Sequence, residues 1–179
     1  SDEGFWDLLD RGLTVGIFQV EDGGIAKKIA SRMRCRSIED LAVLVALNRP
    51  GPLRAGYVDM YLDRREAGGE FDVLDPFIRD IVEDTYGVFV YQEQVISLFT
   101  KMGFSLEEAD DVRRIMGKKK VREMEEFYPN YMEKATQHMG EKTANELWKE
   151  LLGFSKYAFN KAHSVAYGII TLWTLWTKY

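Results

Sequence analysis

Apolar residues recur at helical spacing along nearly all of this 179-residue chain, and glycine or proline closes most of the runs. Ile25, Ile29 and Met33 stand four apart after the turn-like Glu21-Asp22-Gly23-Gly24. Ser37 with Asp40 reads as a capping box ahead of the apolar run Leu41 to Leu47. That helix must end near Asn48, because a residue that precedes proline, here Arg49, is driven out of the helical region. A further helix is predicted over 53–67, stopped by Gly68-Gly69. Asp75-Pro76 supplies an N-cap and first position for a short helix to about residue 84, before a turn at Thr85-Tyr86-Gly87. Residues 88–90 have room for a brief strand, and 91–102 read as helix closed by Gly103. Ser105 and Glu108 form a second capping box for a helix through Met116, interrupted at Gly117. Helices are then expected over 121–139, with a bend at Pro129, over 143–152 before Gly153, and from about Lys161 to the end.

The fold class that follows is all-α, an irregular assembly of roughly eight to ten helices. With no Ser/Gly-rich linker and a one-domain length, residues 1–179 are expected to form a single domain. Only one cysteine, Cys35, is present, which excludes an internal disulfide framework, fits a reducing compartment and leaves an inert small residue. His138, His163 and Cys35 are too sparse for a transition-metal site. No secretory signal opens the chain, and the uncharged stretch 164–177 is shorter than the ~20 residues of a membrane span, so it reads as a buried helix. The last residues, Lys178-Tyr179, carry no helix-stop signal and read as a cut end.

The net charge of −5 and pI near 5.2 argue against simple nucleic-acid binding, but the charges are segregated. Arg113, Arg114, Lys118, Lys119, Lys120 and Arg122 fall within ten residues that hold no acid. A second basic stretch holds Lys27, Lys28, Arg32, Arg34 and Arg36, and the segment 59–93 is mostly acidic. A local patch matters more than the total when the partner is a phosphate. In Arg113-Arg114-Ile115-Met116-Gly117-Lys118-Lys119-Lys120, rigid guanidinium forks suited to bidentate phosphate binding stand beside flexible point charges. Gly117 permits a close backbone approach or a sharp turn. A solvated helix end whose cations complement the helix dipole accounts for the same residues. The segment is not a Walker A loop, which needs an earlier glycine and a hydroxyl after the lysine.

Tyr157-Ala158-Phe159-Asn160-Lys161-Ala162-His163-Ser164 sets an amide, a cation, an imidazole and a hydroxyl at a helix start, where free N–H groups favour an anion or a base. The plain alternative is an N-capping Asn160 with His163 satisfied locally, and for His163 alone that reading is preferred. Tyr91-Gln92-Glu93-Gln94 is either a polar site or a structural amide network, and Asn48-Arg49-Pro50-Gly51-Pro52 is by default a helix stop presenting an arginine. Asp110 and Asp111 point to different sides of a helix, so they are read as surface or salt-bridging groups rather than shared metal ligands.

In order along the chain, Gly16-Ile17-Phe18-Gln19-Val20-Glu21, Ala46-Leu47-Asn48-Arg49-Pro50-Gly51-Pro52-Leu53, Thr85-Tyr86-Gly87-Val88 with Val90-Tyr91-Gln92-Glu93-Gln94, Ala109-Asp110 with Arg113 to Lys119, and Phe159 to Ser164 make a distinctive series. It resembles the α subunit of bacterial DNA polymerase III, the C-family replicative polymerases, and is closer to the DnaE-type branch than to the PolC-type. The likeness runs from about Gly12 to the last residue. It implies the helical fingers domain of a DNA-directed DNA polymerase, a nucleotidyltransferase of cytoplasmic DNA replication, with residues ~1–20 adjoining a palm that is not in this chain. The palm's aspartates would bind two Mg²⁺ ions, so no catalytic or metal-binding residue is assigned here and the piece alone is expected to be inactive. The implied partners are the incoming dNTP, primer-template DNA, the palm and other polymerase III α domains, and, through regions outside this chain, the sliding clamp and other replisome subunits.

Carried over by position, the resemblance implies that Arg113 and Arg114 contact the triphosphate and that Lys118 and Lys119 add positive potential there or near template phosphates. Asn160, Lys161, His163 and Ser164 would line the pocket around the nascent base pair, with Arg49, Tyr91 and Gln92 in support. Three positions depart from the family pattern: Ala162 for a serine, Asn48 for an aromatic, and Asp22 for a serine or threonine. A non-catalytic helical module that binds nucleic acid or protein, and a purely structural bundle, are the rival classes.

Overall fold

A computed structural model of the chain describes residues 4–21 and 23–179. Ser1, Asp2, Glu3 and Asp22 lie outside the described residues. The chain divides into two compact units, one formed by Ser1–Glu70 with Lys161–Tyr179, the other by Phe71–Asn160. Every named element among the described residues is a helix, α or 3-10, and none is a strand.

The first unit comprises α1 (Trp6–Asp10), α2 (Gly23–Met33), α3 (Ile38–Leu47), α4 (Pro50–Arg54), α5 (Tyr57–Glu66) and, from the chain's end, a long helix over Lys161–Lys178 that is α11 in chain order. α3 is apolar all round, with Leu41 to Leu47 all buried, so it sits at the centre with α2 and α11 against it. Ser37 caps α3 by accepting from the Asp40 N–H at 3.0 Å. The reciprocal half of the expected box is absent: Asp40 accepts from the Arg36 N–H at 2.8 Å and from Arg65 Nη1 at 2.5 Å. The predicted helix over 53–67 is two helices. Pro50 opens α4 early, and Gly56 at φ 82° then turns the chain before α5, a left-handed position that suits a residue without Cβ.

α11 packs on α3 through Ser164 and Gly168, and its buried face continues through Thr171, whose hydroxyl donates to Phe18 O at 3.1 Å, and Leu175. A Cβ at Gly168 would come within 3.2 Å of the Ala42 backbone nitrogen. The expectation of a buried helix holds for this face; Trp173 and Trp176 on another face are exposed. None of the described helices is long and apolar enough to cross a membrane.

The second unit holds α6 (Arg79–Val82) between short 3-10 turns at Pro76–Ile78 and Glu83–Thr85, then α7 (Gln92–Lys101), α8 (Leu106–Gly117), α9 (Val121–Ala135) and α10 (Glu141–Ser155). Asp75 caps the first turn, and the predicted turn at 85–87 has Tyr86 and Gly87 at φ 52° and 77°. No strand forms over 88–90; the extended contact is one isolated bridge between Tyr91 and Phe159. Pro129 lies inside α9, which ends at Ala135 rather than 139. α10 runs past Gly153 to Ser155, since Leu151 and Phe154 keep its apolar face buried there. The core is aromatic: Phe99 meets Phe104, Phe127 and Tyr131 at centroid distances of 5.1, 5.7 and 5.8 Å, and Tyr131 meets Trp148 at 4.7 Å. Deleting a buried ring such as Phe99 should cost about 3–5 kcal/mol.

Candidate functional site

α8 begins with a complete capping box: Ser105 accepts from the Glu108 N–H at 3.1 Å, and Glu108 accepts from the Ser105 N–H at 2.8 Å. The buried stripe Ala109, Val112 and Met116 faces the core, which leaves Arg113 and Arg114 on the outer surface. Arg113 Nε donates to Asp110 Oδ1 at 2.6 Å. Arg114 Nη2 pairs with Asp111 Oδ1, and its Nε lies 3.5 Å from Asp110 Oδ2. The hydrogen bond from Arg113 holds the Asp110 carboxyl below its ordinary range, and the same bond raises the Arg113 guanidinium. Of the two readings left open for Asp110 and Asp111, surface or salt-bridging groups, the structure shows the second. The i, i+3 and i, i+4 offsets in Asp110-Asp111-Val112-Arg113-Arg114 carried that pairing in plain view.

The end of α8 is a Schellman motif. Lys120 N–H donates to Ile115 O at 3.0 Å and Lys119 N–H to Met116 O at 2.9 Å. The left-handed residue of that motif is Lys119 (φ 55°), not Gly117, which is the last residue of the helix. Lys118 and Lys119 make no ion pair with a described residue, whereas Lys120 pairs with Glu123. Asp111, Arg114, Ile115, Lys118, Lys120, Glu123 and Phe127 line a surface cleft of about 370 Å³.

Gly117 serves the close approach foreseen for it. A Cβ there would meet Gln92 Nε2 at 3.2 Å. Gln92 opens α7, is 8% exposed, and donates its backbone N–H to Phe159 O at 2.9 Å beside the Tyr91–Phe159 bridge. Gln92 thus stands between the lysine-bearing end of α8 and the segment leading to the half-buried Asn160. Gln94 makes a structural amide network: its Oε1 accepts from the Val90 and Tyr91 N–H groups at 2.8 and 2.9 Å, and its Nε2 donates to Thr85 Oγ1 at 2.7 Å. The buried Tyr91 side chain is part of the core.

In the first unit, Lys161 and His163 are exposed on the first turn of α11. His163 sits edge-on to Tyr167 at 4.1 Å, and Tyr167 meets Phe18 at 5.4 Å. Ser164 is fully buried and donates to the Ala42 carbonyl, so its hydroxyl belongs to helix packing. Arg49 is half-buried, donates from Nε to Ala46 O at 2.8 Å, and burial lowers its guanidinium below the ordinary value. Phe18, Gln19, Glu21, Ile25, Asn48, Arg49 and Pro50 line a cleft of about 510 Å³. Asn48 Nδ2 donates to Gln19 O at 2.9 Å, closing the 16–21 and 46–53 motifs onto one another. Sequence reading placed Arg49 in a supporting role but missed Gln19, Glu21 and Asn48 as its neighbours, because the two motifs lie far apart along the chain.

Two cations of the second basic stretch are tied to acids. Arg32 meets Asp59, Asp63 and Glu66, and Arg36 meets Asp10. Cys35 is buried, which pushes its thiol up to about 12 and leaves it unreactive. Among the described residues, no three His, Cys, Asp or Glu side chains are grouped to hold a metal ion.

Comparison with known proteins places these features in context. Residues 1–139 match the family described as bacterial DNA polymerase III alpha subunit finger domain. The chain is 37% identical over 180 residues to the DNA polymerase III subunit alpha of Aquifex aeolicus (strain VF5), covering 99% of this chain and 15% of that protein. It is 39% identical over 181 residues to that of Helicobacter pylori (strain ATCC 700392 / 26695), with the same coverage. The Thermotoga maritima subunit is 40% identical over 178 residues, with 99% of this chain and 20% of that protein covered. The chain therefore spans about a fifth or less of the length of these relatives.

Proposed function

The chain belongs to the bacterial DNA polymerase III alpha-subunit finger-domain family, and from that premise we propose that it grips the incoming deoxynucleoside triphosphate during templated DNA synthesis. On this reading it is one module of a cytoplasmic DNA-directed DNA polymerase, and its 179 residues act together as a fingers domain beside a palm outside this chain. Divalent-metal chemistry belongs to that palm; among the described residues no group of His, Cys, Asp or Glu is arranged to hold a metal ion. The other polymerase domains, primer-template DNA, and replisome proteins such as the sliding clamp are the partners this role requires.

The observation that carries the proposal is the end of α8, where two arginines, two lysines without ion-pair partners among the described residues and a cleft of about 370 Å³ occupy consecutive turns. Phosphoryl transfer depends on positioning and on stabilising charge over the phosphate oxygens. Arg113 and Arg114 supply planar forks that hold the triphosphate in line, and Lys118 and Lys119 supply neutralising charge close by. Asn160, Lys161 and His163 meet the nascent base pair. Ser164 supports them from inside the packing, Gln92 and Tyr91 support the end of α8 and the start of the 157–160 segment, and Arg49 supports its own cleft.

The direct test is Arg114→Ala in the full-length polymerase. The expected result is a fall of at least about tenfold in kcat/KM for the correct dNTP, or ~1.4 kcal/mol of transition-state stabilisation, with folding unchanged. Unaltered incorporation kinetics would remove the phosphate contact. Should DNA affinity fall while nucleotide use stays the same, the chain is instead a nucleic-acid-binding module.

A further inference from the structure

The two arginines assigned to the triphosphate already have partners. Asp110 holds Arg113 at 2.6 Å and lies 3.5 Å from Arg114, while Asp111 takes the other side of the Arg114 guanidinium. All four side chains remain between 29% and 56% exposed, so their exchange for another partner needs rotamer changes only. Lys118 and Lys119, on the next turn, have no such acid among the described residues. One helix end thus carries two cations already committed to acids and two left to solvent.

We propose that Asp110 and Asp111 are internal counter-ions that hold Arg113 and Arg114 in place before nucleotide arrives and yield them to its triphosphate. This rests on the polymerase reading above, and it makes the two acids determinants of how tightly the substrate is held. Exposed carboxylate pairs are weak, whereas a polyphosphate offers more charge and several oxygens in bidentate geometry. The exchange is therefore favourable but opposed. Ordered guanidiniums are ready for phosphate, and they are masked from stray contacts with nucleic-acid backbone. Once displaced, the two carboxylates remain beside the phosphates and repel them, which limits affinity and assists departure of pyrophosphate.

The experiment is steady-state incorporation by the full-length polymerase on a primer-template, reading KM for the correct dNTP. Asp110→Asn and Asp111→Asn should each lower KM about two- to fivefold, the strength of an exposed ion pair. Glu107→Gln removes an equal charge from the first turn of the same helix and should leave KM where it is. In an Arg114→Ala background, Asp111→Asn should lower KM by less than it does with Arg114 present, since the ion pair is already broken and only the repulsion of the phosphates remains to be relieved. An unchanged or raised KM in Asp111→Asn, with Arg114→Ala still impaired, overturns the counter-ion role and leaves the phosphate contact standing. An equal fall in Glu107→Gln overturns it too, because a general field would then suffice. No effect of Arg114→Ala sinks the phosphate contact itself.

Discussion

Gln92 holds its side-chain amide so near Gly117 that a Cβ at residue 117 would meet Gln92 Nε2 at 3.2 Å. The same residue's backbone is bonded to Phe159 O at 2.9 Å. One buried glutamine therefore borders both the lysine-bearing turn and the segment that leads to Asn160. Gly117→Val should destabilise the second unit by about 1–3 kcal/mol, as overpacking does, and Gln92→Ala in the same chain should recover part of the loss. Urea unfolding checks both, and a neutral Gly117→Val would show that the contact is not what requires glycine.

Lys119 keeps a charged side chain at the left-handed position of a Schellman motif, where glycine is favoured. Lys119→Gly should raise stability by about 1 kcal/mol through relief of backbone strain. In the full polymerase the same change should weaken nucleotide binding by loss of one charge. A variant that is stabilised with no change in nucleotide use would leave Lys119 without a part in the site.

Lys118 lies on the lining of the cleft with Arg114 and has no ion-pair partner among the described residues. Glutamate there should impair nucleotide use more than alanine, because reversal adds repulsion to the lost attraction. Equal KM values for the two variants would place Lys118 away from the phosphates.

Ser164 and Gly168 let α11 approach α3 closely. Ser164→Ala should cost about 1 kcal/mol by removing the buried hydroxyl's bond to the Ala42 carbonyl, and Gly168→Val more, since the obstacle is backbone. Thermal unfolding reads both. A Ser164→Ala enzyme that loses nucleotide affinity at full stability would return Ser164 to the pocket itself.

Acid should weaken the chain through its paired carboxylates. The Ser105 N–H bond holds Glu108 below its ordinary 4.5, and Arg113 holds Asp110 below its ordinary 3.8. A carboxyl lowered in the folded state contributes stability that is complete above its unfolded value and lost as pH falls through its folded one. Stability should therefore hold from neutral pH down to the ordinary carboxylate range and decline below it. Glu108→Gln should flatten part of that decline. An unchanged acid limb, measured by urea unfolding across pH 2–6 (about the carboxylate range), would show that the box contributes no pH dependence.

The helices and most of their ends could be read along the chain because their causes are local. Ser37, Asp75, Ser105 and Gly103 act within a few residues of themselves, and the buried stripes of α2 and α8 follow helical periodicity. The cation cluster was legible for the same reason, as were the acids that pair with it. Gly56 was not, because a lone glycine between helix-forming residues gives no local sign that the backbone will turn left-handed there. Nor did local pattern separate Ser164 from His163: both stand in one motif, yet one faces α3 and the other solvent. Gln92 against Gly117, and Asn48 against Gln19, join segments 25 or more residues apart in sequence. Periodicity and capping determine which residues become helix and which face turns inward. Which distant side chain fills a given gap depends on packing between helices, where space and backbone approach are settled by all the partners at once.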